Sequence, residues 1–428
     1  MEIKAASKIN GEITIPGDKS ISHRAAIISA ISRNNVVINN FLFSRDCINT
    51  LDIIKKLGVS VEKIAGNLII HGKGIESLKE PDEILYVGNS GTAIRLLAGM
   101  LSATGFTSVL TGDISINSRP MARIIDPLRE MGANISGRAN NTKAPLIIFG
   151  NKKLKGRNFD INISSAQVKS CIILAAIFAE GITEIVQPEI SRDHTERMLE
   201  YFGVNIKYDG RHTKVIPGNP LEGKDIFVPG DISSAAYFIV ASLILKDSSI
   251  MIRNVGINPT RSYFIEILKS MGARIKIGNK RILNNEPVGD IEASSSRLHS
   301  IEIDNKSISN IIDEIPILAV AAAFAEGKTV ISGAEELRFK ESDRIRSISS
   351  QFIKLGVEVE EKKDGMIISG YENLKINDNT VDAMNDHRIA MSLAILGLRS
   401  SRAVKIINSQ YIDTSFPGFK YELRKSTS

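Results

Sequence analysis

The sequence is poor in the residues on which several classes of protein depend. Only Cys47 and Cys171 are cysteines, which excludes a disulfide framework and a cysteine-rich metal site. Tryptophan is absent and aromatic residues make up 5%, so a base-stacking platform for nucleic acid is not expected. The longest apolar run, residues 315–325, contains Pro316 and is too short to span a bilayer. No hydrophobic signal segment opens the chain, and we expect a cytoplasmic protein.

Positive charge exceeds negative charge modestly and is spread along the chain. Lysine and arginine number 54 against 48 aspartate and glutamate, a formal net charge of +6. The chain has no block of consecutive cations that would bind a nucleic-acid backbone non-specifically. Small anionic ligands therefore fit the excess at least as well as nucleic acid does. At 428 residues, with 43% apolar and 24% charged residues, the chain is typical of a globular protein of two or more domains.

A short signature recurs along the chain and predicts its architecture. An apolar residue that ends a helical pattern is followed by glycine and by a small apolar residue that leads into a strand. The signature places glycine at Gly58, Gly132, Gly203, Gly272 and Gly356, with spacings of 69 to 84 residues. We expect these glycines to adopt the left-handed conformation that ends helices. Since six units of about 71 residues fill the chain, we predict six α/β units.

Each predicted unit carries two helical patterns. The first helices are predicted to begin near Ser20, Gly91, Ala166, Ile232, Asp313 and Asp386. The second helices are predicted to begin near Asp46, Pro120, Arg192, Thr260, Ser342 and Ser415. Because the first helices are apolar nearly all round, we expect them to be buried, with the sheets outside them. If they run parallel, their N-termini gather at one end of a domain, where they favour anions.

A polar cluster precedes each of these apolar helices, and the first spans residues 16–24. Pro-Gly ends a strand-like run there, and Lys19, Ser20 and Arg24 lie at the first turn of the helix. Free N–H groups and two added cations suit an anion. Taken alone, an ordinary strand, turn and helix with solvated charges explains the stretch better.

Two further clusters lie in the same half of the chain. Residues 88–92, Gly-Asn-Ser-Gly-Thr, open the second apolar helix, with Arg95 one turn further on. The glycines would let an anion approach the backbone, although the spacing is not that of a P-loop. Arg119 stands before Pro120, which we expect at the first helical position. A glycine-rich turn that caps a helix explains residues 88–92 about as well as a ligand site does. An exposed arginine at a helix start explains Arg119, taken alone, better than a ligand site does.

The remaining clusters are residues 164–167, 191–195, 313–316, 338–346 and 385–388. Ser165 and Ser191 are explained as helix N-caps. Asp313 and Glu314 either complement the helix dipole or are buried for a purpose, and the two explanations weigh equally. Six apolar helices that all begin with polar clusters, most of them cationic, would be a coincidence if each cluster were only a cap.

Together the clusters resemble those of the 5-enolpyruvylshikimate-3-phosphate synthase family over essentially the whole chain. The matching segments are residues 16–24, 88–92, 118–120, 165–170, 191–194, 313–316, 340–344 and 385–388. The resemblance implies a two-domain inside-out α/β barrel, with three units per domain around parallel buried helices. It implies a discontinuous domain of residues 1–16 and 230–428 and an inserted domain of residues 17–229, with the active site in the cleft between them.

The activity that the resemblance implies is transfer of the enolpyruvyl group of phosphoenolpyruvate to the 5-hydroxyl of shikimate 3-phosphate, with release of phosphate. Shikimate 3-phosphate would be bound by Lys19, Ser20, Arg24, Ser165, Ala166, Gln167, Ser191, Asp313 and Lys340. Phosphoenolpyruvate would be bound by Lys19, Gly91, Arg119, Gln167, Arg344 and Arg388. Asp313 would be the base, and Glu341, assisted by Lys19, would serve the methylene carbon. Neither a metal nor a cofactor is implied, and we expect a monomer without nucleic-acid or membrane partners.

The chain departs from the family pattern at two positions that bear on the site. Thr414 stands where many relatives carry a lysine, and His194 stands where some carry a tyrosine. One alternative is a UDP-N-acetylglucosamine enolpyruvyl transferase, whose loop before the Arg-Pro pair usually carries a reactive cysteine; residues 113–118 contain none. Another is a basic RNA-processing protein on a similar fold, which the scattered cations and few aromatic residues disfavour.

Overall fold

The structure is a computed structural model that describes residues 1–371 and 376–428. Its α-helices in these residues are α1 (Lys19–Ile31), α2 (Arg45–Lys56), α3 (Gly91–Ser102), α4 (Ile114–Ser118), α5 (Ala122–Glu130), α6 (Arg138–Asn141), α7 (Ala166–Ala176), α8 (His194–Tyr201), α9 (Ile232–Ile244), α10 (Pro259–Ser270), α11 (Asn305–Ile311), α12 (Ile315–Ala323), α13 (Arg344–Lys354), α14 (His387–Gly397) and α15 (Phe419–Ser426). Short 3₁₀ helices lie at Ile75–Ser77, Glu335–Phe339 and Ser409–Thr414.

The β-strands of the described residues are short, and most are separated by the helices above. They are β1 (Glu2–Ile3), β2 (Asn10–Ile13), β3 (Arg33–Asn39), β4 (Ser60–Ile64), β5 (Asn67–Lys73), β6 (Leu85–Tyr86), β7 (Thr107–Thr111), β8 (Asn134–Gly137), β9 (Lys143–Phe149), β10 (Asn158–Asp160), β11 (Thr183–Val186), β12 (Asn205–Tyr208), β13 (His212–Ile216), β14 (Ile226–Phe227), β15 (Ser249–Gly256), β16 (Arg274–Leu283), β17 (Glu286–Ser294), β18 (Glu302–Ile303), β19 (Lys328–Ile331), β20 (Val359–Lys362), β21 (Gly365–Ser369), β22 (Thr380–Asp382) and β23 (Val404–Ile407).

These strands form six sheets within the described residues, and the sheets repeat one pattern. Five have four strands, in the orders β14-β3-β5-β4, β6-β7-β9-β8, β10-β11-β13-β12, β2-β15-β17-β16 and β18-β19-β21-β20. The sixth has three strands, in the order β1-β23-β22. In each four-stranded sheet the first strand runs parallel to the second, and the third runs antiparallel to the second. The predicted six-fold repeat of α/β units is confirmed.

The first helix of each unit is buried, as its apolar sequence predicts. These helices are α1, α3, α7, α9, α12 and α14, and each begins within two residues of its predicted start. Every residue of α9 and of α12 is buried. The second helices, α2, α5, α8, α10, α13 and α15, begin within four residues of theirs. The five signature glycines all have left-handed backbones, with φ between +85° and +97°, as a helix-ending glycine should.

Two predicted helix starts are wrong in detail. Pro120 is not the first residue of a helix, because Arg119 ends the short helix α4 and α5 begins only at Ala122. Ser191 is not an N-cap, because α8 begins at His194 and the Ser191 hydroxyl donates to Gln187 Oε1 at 2.9 Å. In both cases the helix begins two or three residues later than the sequence predicts, after Met121 in α5 and after Arg192 and Asp193 in α8.

The chain divides into two compact units. The discontinuous unit consists of Met1–Pro16, Pro229–Arg281 and Pro287–Ser428, and the central unit consists of Gly17–Val228 and Ile282–Glu286. Each unit contains three of the six sheets. Each also contains three of the six buried helices, and these have their own apolar core.

The segment Ile282–Glu286 corrects the predicted division, which assigned it to the discontinuous domain. It is the tip of the β16–β17 hairpin and packs with the central unit. Asn284 Oδ1 accepts a hydrogen bond from the Phe227 backbone N–H at 3.0 Å. Arg197 donates to the Asn285 carbonyl at 2.9 Å. These partners lie far from the tip in sequence, which is why the repeat alone does not reveal them.

Candidate active site

In the central unit, side chains at the N-terminal ends of the three buried helices meet. Arg24 of α1 donates from Nη2 to Ser170 Oγ of α7 at 2.9 Å. Arg95 of α3 donates to the Oε1 atom of Gln167 in α7. Partial positive charge and free N–H groups from three helices therefore gather in one place.

Lys19 is the first residue of α1 and lies beside a carboxylate that the sequence did not single out. Its Nζ is 2.5 Å from Asp46 Oδ2, with 20% of the lysine side chain and 5% of the aspartate side chain exposed. The helix is capped by Asp18, which accepts from the Ile21 N–H at 2.8 Å. The cap fixes the helix end that carries Lys19, and the ion pair holds the tip of the lysine side chain.

Arg24 is buried and all three of its nitrogens donate to the protein. Nε donates to Thr195 Oγ1 at 2.7 Å and Nη1 to the Ser20 carbonyl at 3.0 Å, in addition to the contact with Ser170. Burial lowers the pKa of Arg24 to about 10, although Glu196 acts in the opposite direction. The guanidinium remains charged at neutral pH and is held rigidly.

Gly91, Arg95, Arg119 and Gln167 lie together at the start of α3. A Cβ placed on Gly91 would come within 2.9 Å of Nη1 of both Arg95 and Arg119, and 3.6 Å from Gln167 Oε1. Arg119 donates from Nη2 to Asn89 Oδ1 at 2.7 Å. A residue without a side chain thus leaves the helix N-terminus open beside two guanidinium groups, an arrangement that suits a small anion.

The predicted serine ligands are held in different ways. Ser165 caps α7, and its hydroxyl accepts from the Val168 N–H at 3.4 Å. Ala166 is the first residue of that helix, and Gln167 donates to Thr92 Oγ1 at 3.1 Å. Ser165 and Gln167 therefore stand at the start of α7, where Arg95 of α3 reaches Gln167, whereas the Ser191 hydroxyl is already bonded to Gln187.

In the discontinuous unit, Arg344 is the centre of a second cluster. Its guanidinium, whose side chain is 1% exposed, contacts three carboxylates: Asp386 at 2.8 Å, Glu341 at 2.6 Å and Asp313 at 3.2 Å. Burial alone would lower the pKa of Arg344, but Asp386 and Glu341 raise it above its ordinary value. The charged run of residues 338–346 is therefore organised around a buried cation.

Asp313 is shared between two arginines. Its Oδ1 lies 3.2 Å from Arg344 Nη1 and 3.5 Å from Arg388 Nε, and its backbone carbonyl accepts from Arg388 Nη1 at 2.9 Å. Burial alone would lower the pKa of Arg388, but neighbours led by Asp313 raise it. The Asp313 side chain remains 18% exposed, so a ligand can reach it.

Lys340 and Glu341 complete this cluster at the start of α13. Lys340 is half-buried, and burial lowers its pKa, with Arg344 acting in the same direction and Asp313 against it. The Glu341 side chain is 21% exposed and pairs with Arg344 three residues on. This partial exposure leaves the Glu341 carboxylate accessible to a ligand.

Sequence reasoning did not assign four residues that the structure places in these clusters. They are Arg95, Asp46, Asp386 and Glu314. Asp386 and Glu314 lie within the motifs and Arg95 lies three residues beyond one, but only their distant partners reveal their roles. Thr414, at the position of a family lysine, donates its hydroxyl to the Tyr411 carbonyl at 2.7 Å.

Among residues 1–371 and 376–428, no group of three or more histidine, cysteine, aspartate or glutamate side chains is arranged to hold a metal ion. In that same part of the chain, no helix combines the length and the apolar character needed to cross a bilayer.

Buried helices inside sheets, with cations and carboxylates at the helix N-termini, define a class of α/β protein suited to binding small anions and moving protons on them. A sequence profile of that class described as EPSP synthase (3-phosphoshikimate 1-carboxyvinyltransferase) matches residues 3–423, and the chain belongs to this family. The resemblance expected from the motifs is confirmed over nearly the full length.

Curated relatives agree with the family assignment. The 3-phosphoshikimate 1-carboxyvinyltransferase of Petrotoga mobilis is 50% identical over 423 residues, covering 98% of this chain and 97% of the relative. That of Carboxydothermus hydrogenoformans is 47% identical over 427 residues, covering 100% and 99%. The predicted enzyme class is thereby confirmed, in preference to the UDP-sugar transferase and the RNA-processing protein.

Solved structures agree on the fold. EPSP synthase from Acinetobacter baumannii is 42% identical, with a TM-score of 0.88 over 100% of this chain and 98% of that one. The enolpyruvyl transferase NikO from Streptomyces tendae, at 17% identity, has a TM-score of 0.81 over 99% and 96% and shows likeness of fold alone. The predicted inside-out α/β fold is confirmed.

Proposed function

We propose that this chain transfers the enolpyruvyl group of phosphoenolpyruvate to the 5-hydroxyl of shikimate 3-phosphate and releases phosphate. The observation that carries the proposal is the gathering of cations at helix N-termini. Arg95 and Arg119 lie beside Gly91 at the start of α3 and Lys19 lies at the start of α1, whereas Arg344 and Arg388 lie around Asp313 in the other unit. Both substrates are polyanions, and convergent guanidinium and ammonium groups are the side chains that bind such ligands strongly.

The chemistry proceeds by addition and elimination. The 5-hydroxyl oxygen forms a bond to C2 of phosphoenolpyruvate while its proton leaves to a base and C3 gains a proton. The tetrahedral intermediate then loses a proton from C3 as the C2–O bond to phosphate breaks. Each step needs a group that accepts or donates a proton within hydrogen-bond reach.

Asp313 is proposed as the base at the hydroxyl, and Glu341 as the group serving C3, with Lys19 assisting. Asp313 has two arginine partners, and these suit the ionised form that a base requires. Glu341 pairs with one arginine and has 21% of its side chain exposed, which leaves an approach to its carboxylate.

The proposed contacts of shikimate 3-phosphate are Lys19, Ser20, Arg24, Ser165, Ala166, Gln167, Ser191, Asp313 and Lys340. Those of phosphoenolpyruvate are Lys19, Gly91, Arg119, Gln167, Arg344 and Arg388. The close approach of Arg95 and Arg119 to Gly91 supports an anion at the start of α3. The buried guanidinium of Arg24 supports an anion contact there less directly, because its nitrogens already donate to the protein.

We further propose that the enzyme is a cytoplasmic monomer. Its active site is proposed to lie in a cleft between a domain of residues 1–16 and 230–428 and a domain of residues 17–229. The corrected unit boundaries leave every proposed site residue on its expected side of this division. One chain therefore supplies the full set of proposed ligands.

The decisive experiment measures phosphate release from phosphoenolpyruvate with the purified chain. Release is expected with shikimate 3-phosphate and absent without it. A parallel assay with UDP-N-acetylglucosamine as the acceptor tests whether the chain instead catalyses enolpyruvyl transfer to the UDP-sugar. Release that is independent of shikimate 3-phosphate, or supported only by the UDP-sugar, would refute the proposal.

A further inference from the structure

A buried chain of polar groups lies behind Arg388 in the discontinuous unit, and the proposed reaction does not use it. Its carboxylate, Glu314, is 0% exposed. Glu314 stands at the N-cap of α12, yet its side chain makes no capping hydrogen bond. Instead Oε1 accepts from the Ser233 hydroxyl of α9. Complementing the dipole of α12 therefore does not account for the contact that the Glu314 side chain makes.

The chain continues from Ser233 to two more charged groups. Arg261 Nη2 donates to Ser233 Oγ at 2.7 Å and lies 3.5 Å from Asp231 Oδ1. Arg261 and Asp231 are 2% and 3% exposed. Since Ser233 Oγ accepts from one side and donates to the other, its hydrogen is committed to Glu314. The Glu314 side chain is thus held by a fixed, water-excluded network.

Holding an ionised carboxylate in such a place is costly unless a cation balances it. Arg261 reaches Glu314 only through the serine hydroxyl. The nearest direct cation among the described residues is Arg388, whose Nη1 lies 4.0 Å from Glu314 Oε1. Glu314 Oε2 has no hydrogen-bond partner in that part of the structure. The Glu314 carboxylate therefore faces the Arg388 guanidinium but accepts no hydrogen bond from it.

Arg388 lies between two adjacent carboxylates with different tasks. Asp313, the proposed base, contacts it at 3.5 Å and is partly exposed, so a substrate can displace that contact. Glu314 is buried and tethered, so no substrate can displace it. When a substrate engages Asp313, Glu314 remains the fixed counter-charge of the guanidinium.

We propose that Glu314 is a positioning residue that, tethered by Ser233 and Arg261, holds the Arg388 guanidinium in the orientation that binds phosphoenolpyruvate. The inference rests on the proposed function, because it is Arg388 as a phosphoenolpyruvate ligand that Glu314 serves. Glu314 itself touches no substrate.

The test is the steady-state kinetics of Glu314→Gln, which removes the charge but keeps an oxygen able to accept from Ser233. KM for phosphoenolpyruvate is expected to rise roughly tenfold, the lower end of the loss caused by replacing residues that orient metal ligands. KM for shikimate 3-phosphate and kcat should change less than about twofold. Ser233→Ala keeps the Glu314 charge and removes the hydrogen bond that holds it, so it should raise KM for phosphoenolpyruvate by a smaller factor. This variant replaces Glu314→Gln in the test if Glu314→Gln does not fold.

Glu326→Gln is the matched control, because Glu326 pairs with Arg297 at 3.0 Å on the surface of the same unit, with both side chains more than half exposed. It should leave both KM values unchanged. Equal increases in the two KM values, or a phosphoenolpyruvate KM that stays at the wild-type value in both variants, would overturn the inference. A wild-type chain without shikimate-dependent phosphate release would instead refute the proposed function, so the two failures are distinct.

Discussion

At the residue scale, the acidic side chains proposed to move protons differ from the other carboxylates of their cluster in exposure. Asp313 and Glu341 keep 18% and 21% of their side chains exposed, whereas Asp386 is fully buried. Asp386 also caps α14 by accepting from the Arg388 N–H at 2.8 Å. The partly exposed carboxylates are available for chemistry, and the buried one holds Arg344 and the helix end in place.

Glu341→Gln and Asp313→Asn should fold normally and lose most turnover. Each replacement keeps the shape of the side chain but cannot take up and release a proton, and proton transfer by a positioned group contributes about 10²- to 10⁴-fold. Phosphate release should show kcat reduced by at least about a hundredfold in each variant, with thermal unfolding close to wild type. Glu361→Gln, at a partly exposed ion pair with Arg338, is the control. Turnover within a few-fold of wild type in either variant would contradict the assigned role.

His23 is a second residue whose environment allows a quantitative prediction. It is fully buried, with Nδ1 2.8 Å from Thr50 Oγ1 and Nε2 3.2 Å from Ser90 Oγ. Ser90 Oγ already accepts from the Ala93 N–H, so its own hydrogen is free to donate to Nε2. The ring is then the neutral Nδ1–H form. Burial lowers the pKa of His23 to about 3, with Lys19 and Arg24 acting in the same direction.

Stability should therefore fall as the pH is lowered below the pKa of an unfolded histidine, about 6.5. Between there and pH 3 the unfolded chain binds a proton at His23 that the folded chain does not, and protons bound only by the unfolded state destabilise the fold. From pH 7 to pH 5 this contributes about 2 kcal/mol. His23→Gln should be less stable at pH 7 but should lose about 2 kcal/mol less on going to pH 5. Identical pH dependence of the denaturant midpoints in both proteins would show that His23 is not held neutral.

At the element scale, what the sequence predicts well is what is decided locally. The starts of the buried helices follow from caps such as Ser165 and from the change from polar to apolar residues. The ends of the second helices, and the repeat itself, follow from glycines such as Gly58 and Gly203, which adopt left-handed backbones. These features depend on a few consecutive residues, so a single sequence is enough to find them.

What the sequence does not predict depends on pairs that lie far apart along the chain. The position of Arg95 one turn into α3 is predicted, but its contact with Gln167, 72 residues later, is not. The buried pair of His194 and Glu286, at 2.7 Å, joins residues 92 apart and places the β16–β17 tip with the central unit. The local sequence pattern carries no information on such partners. The sequence therefore missed both the position of the β16–β17 tip and the site residues that are held by distant partners.

A buried ion pair between α7 and α8 should contribute strongly to the central unit. Lys169 Nζ lies 2.6 Å from Glu196 Oε1, with the two side chains 1% and 0% exposed. Glu196→Gln leaves the lysine charge buried without its counter-charge, which typically costs about 3–5 kcal/mol. Glu184→Gln is the matched control, since Glu184 pairs with Lys214 at 2.7 Å with both side chains at least 40% exposed. There the expected loss is about 0–1 kcal/mol. Equal denaturant midpoints for the two variants would contradict the prediction.

At the scale of the whole molecule, the proposed ligands are divided between the two units. Lys19, Gly91, Arg119 and Gln167 belong to the central unit, and Asp313, Lys340, Glu341, Arg344 and Arg388 belong to the discontinuous unit. Each unit brings its cations to the N-termini of its own buried helices. Neither unit alone contains both a full phosphoenolpyruvate set and the proposed base.

This division leads us to expect that binding of shikimate 3-phosphate draws the two units together. A ligand whose contacts come from both units gains interactions only when they close on it, and closure of this kind commonly completes an active site. X-ray scattering should show a smaller radius of gyration with shikimate 3-phosphate than without ligand. Inorganic phosphate at the same concentration should produce no change.

Lys340→Ala tests whether shikimate 3-phosphate is bound by residues of both units. It removes a proposed contact on the discontinuous unit and leaves those on the central unit, such as Lys19 and Ser165, in place. The variant should still bind shikimate 3-phosphate, more weakly, but saturating ligand should compact it less than wild type. If the wild-type radius of gyration stays constant at saturation, the ligand is held within one unit, and the assignment of Asp313 and Lys340 as its contacts would have to be abandoned.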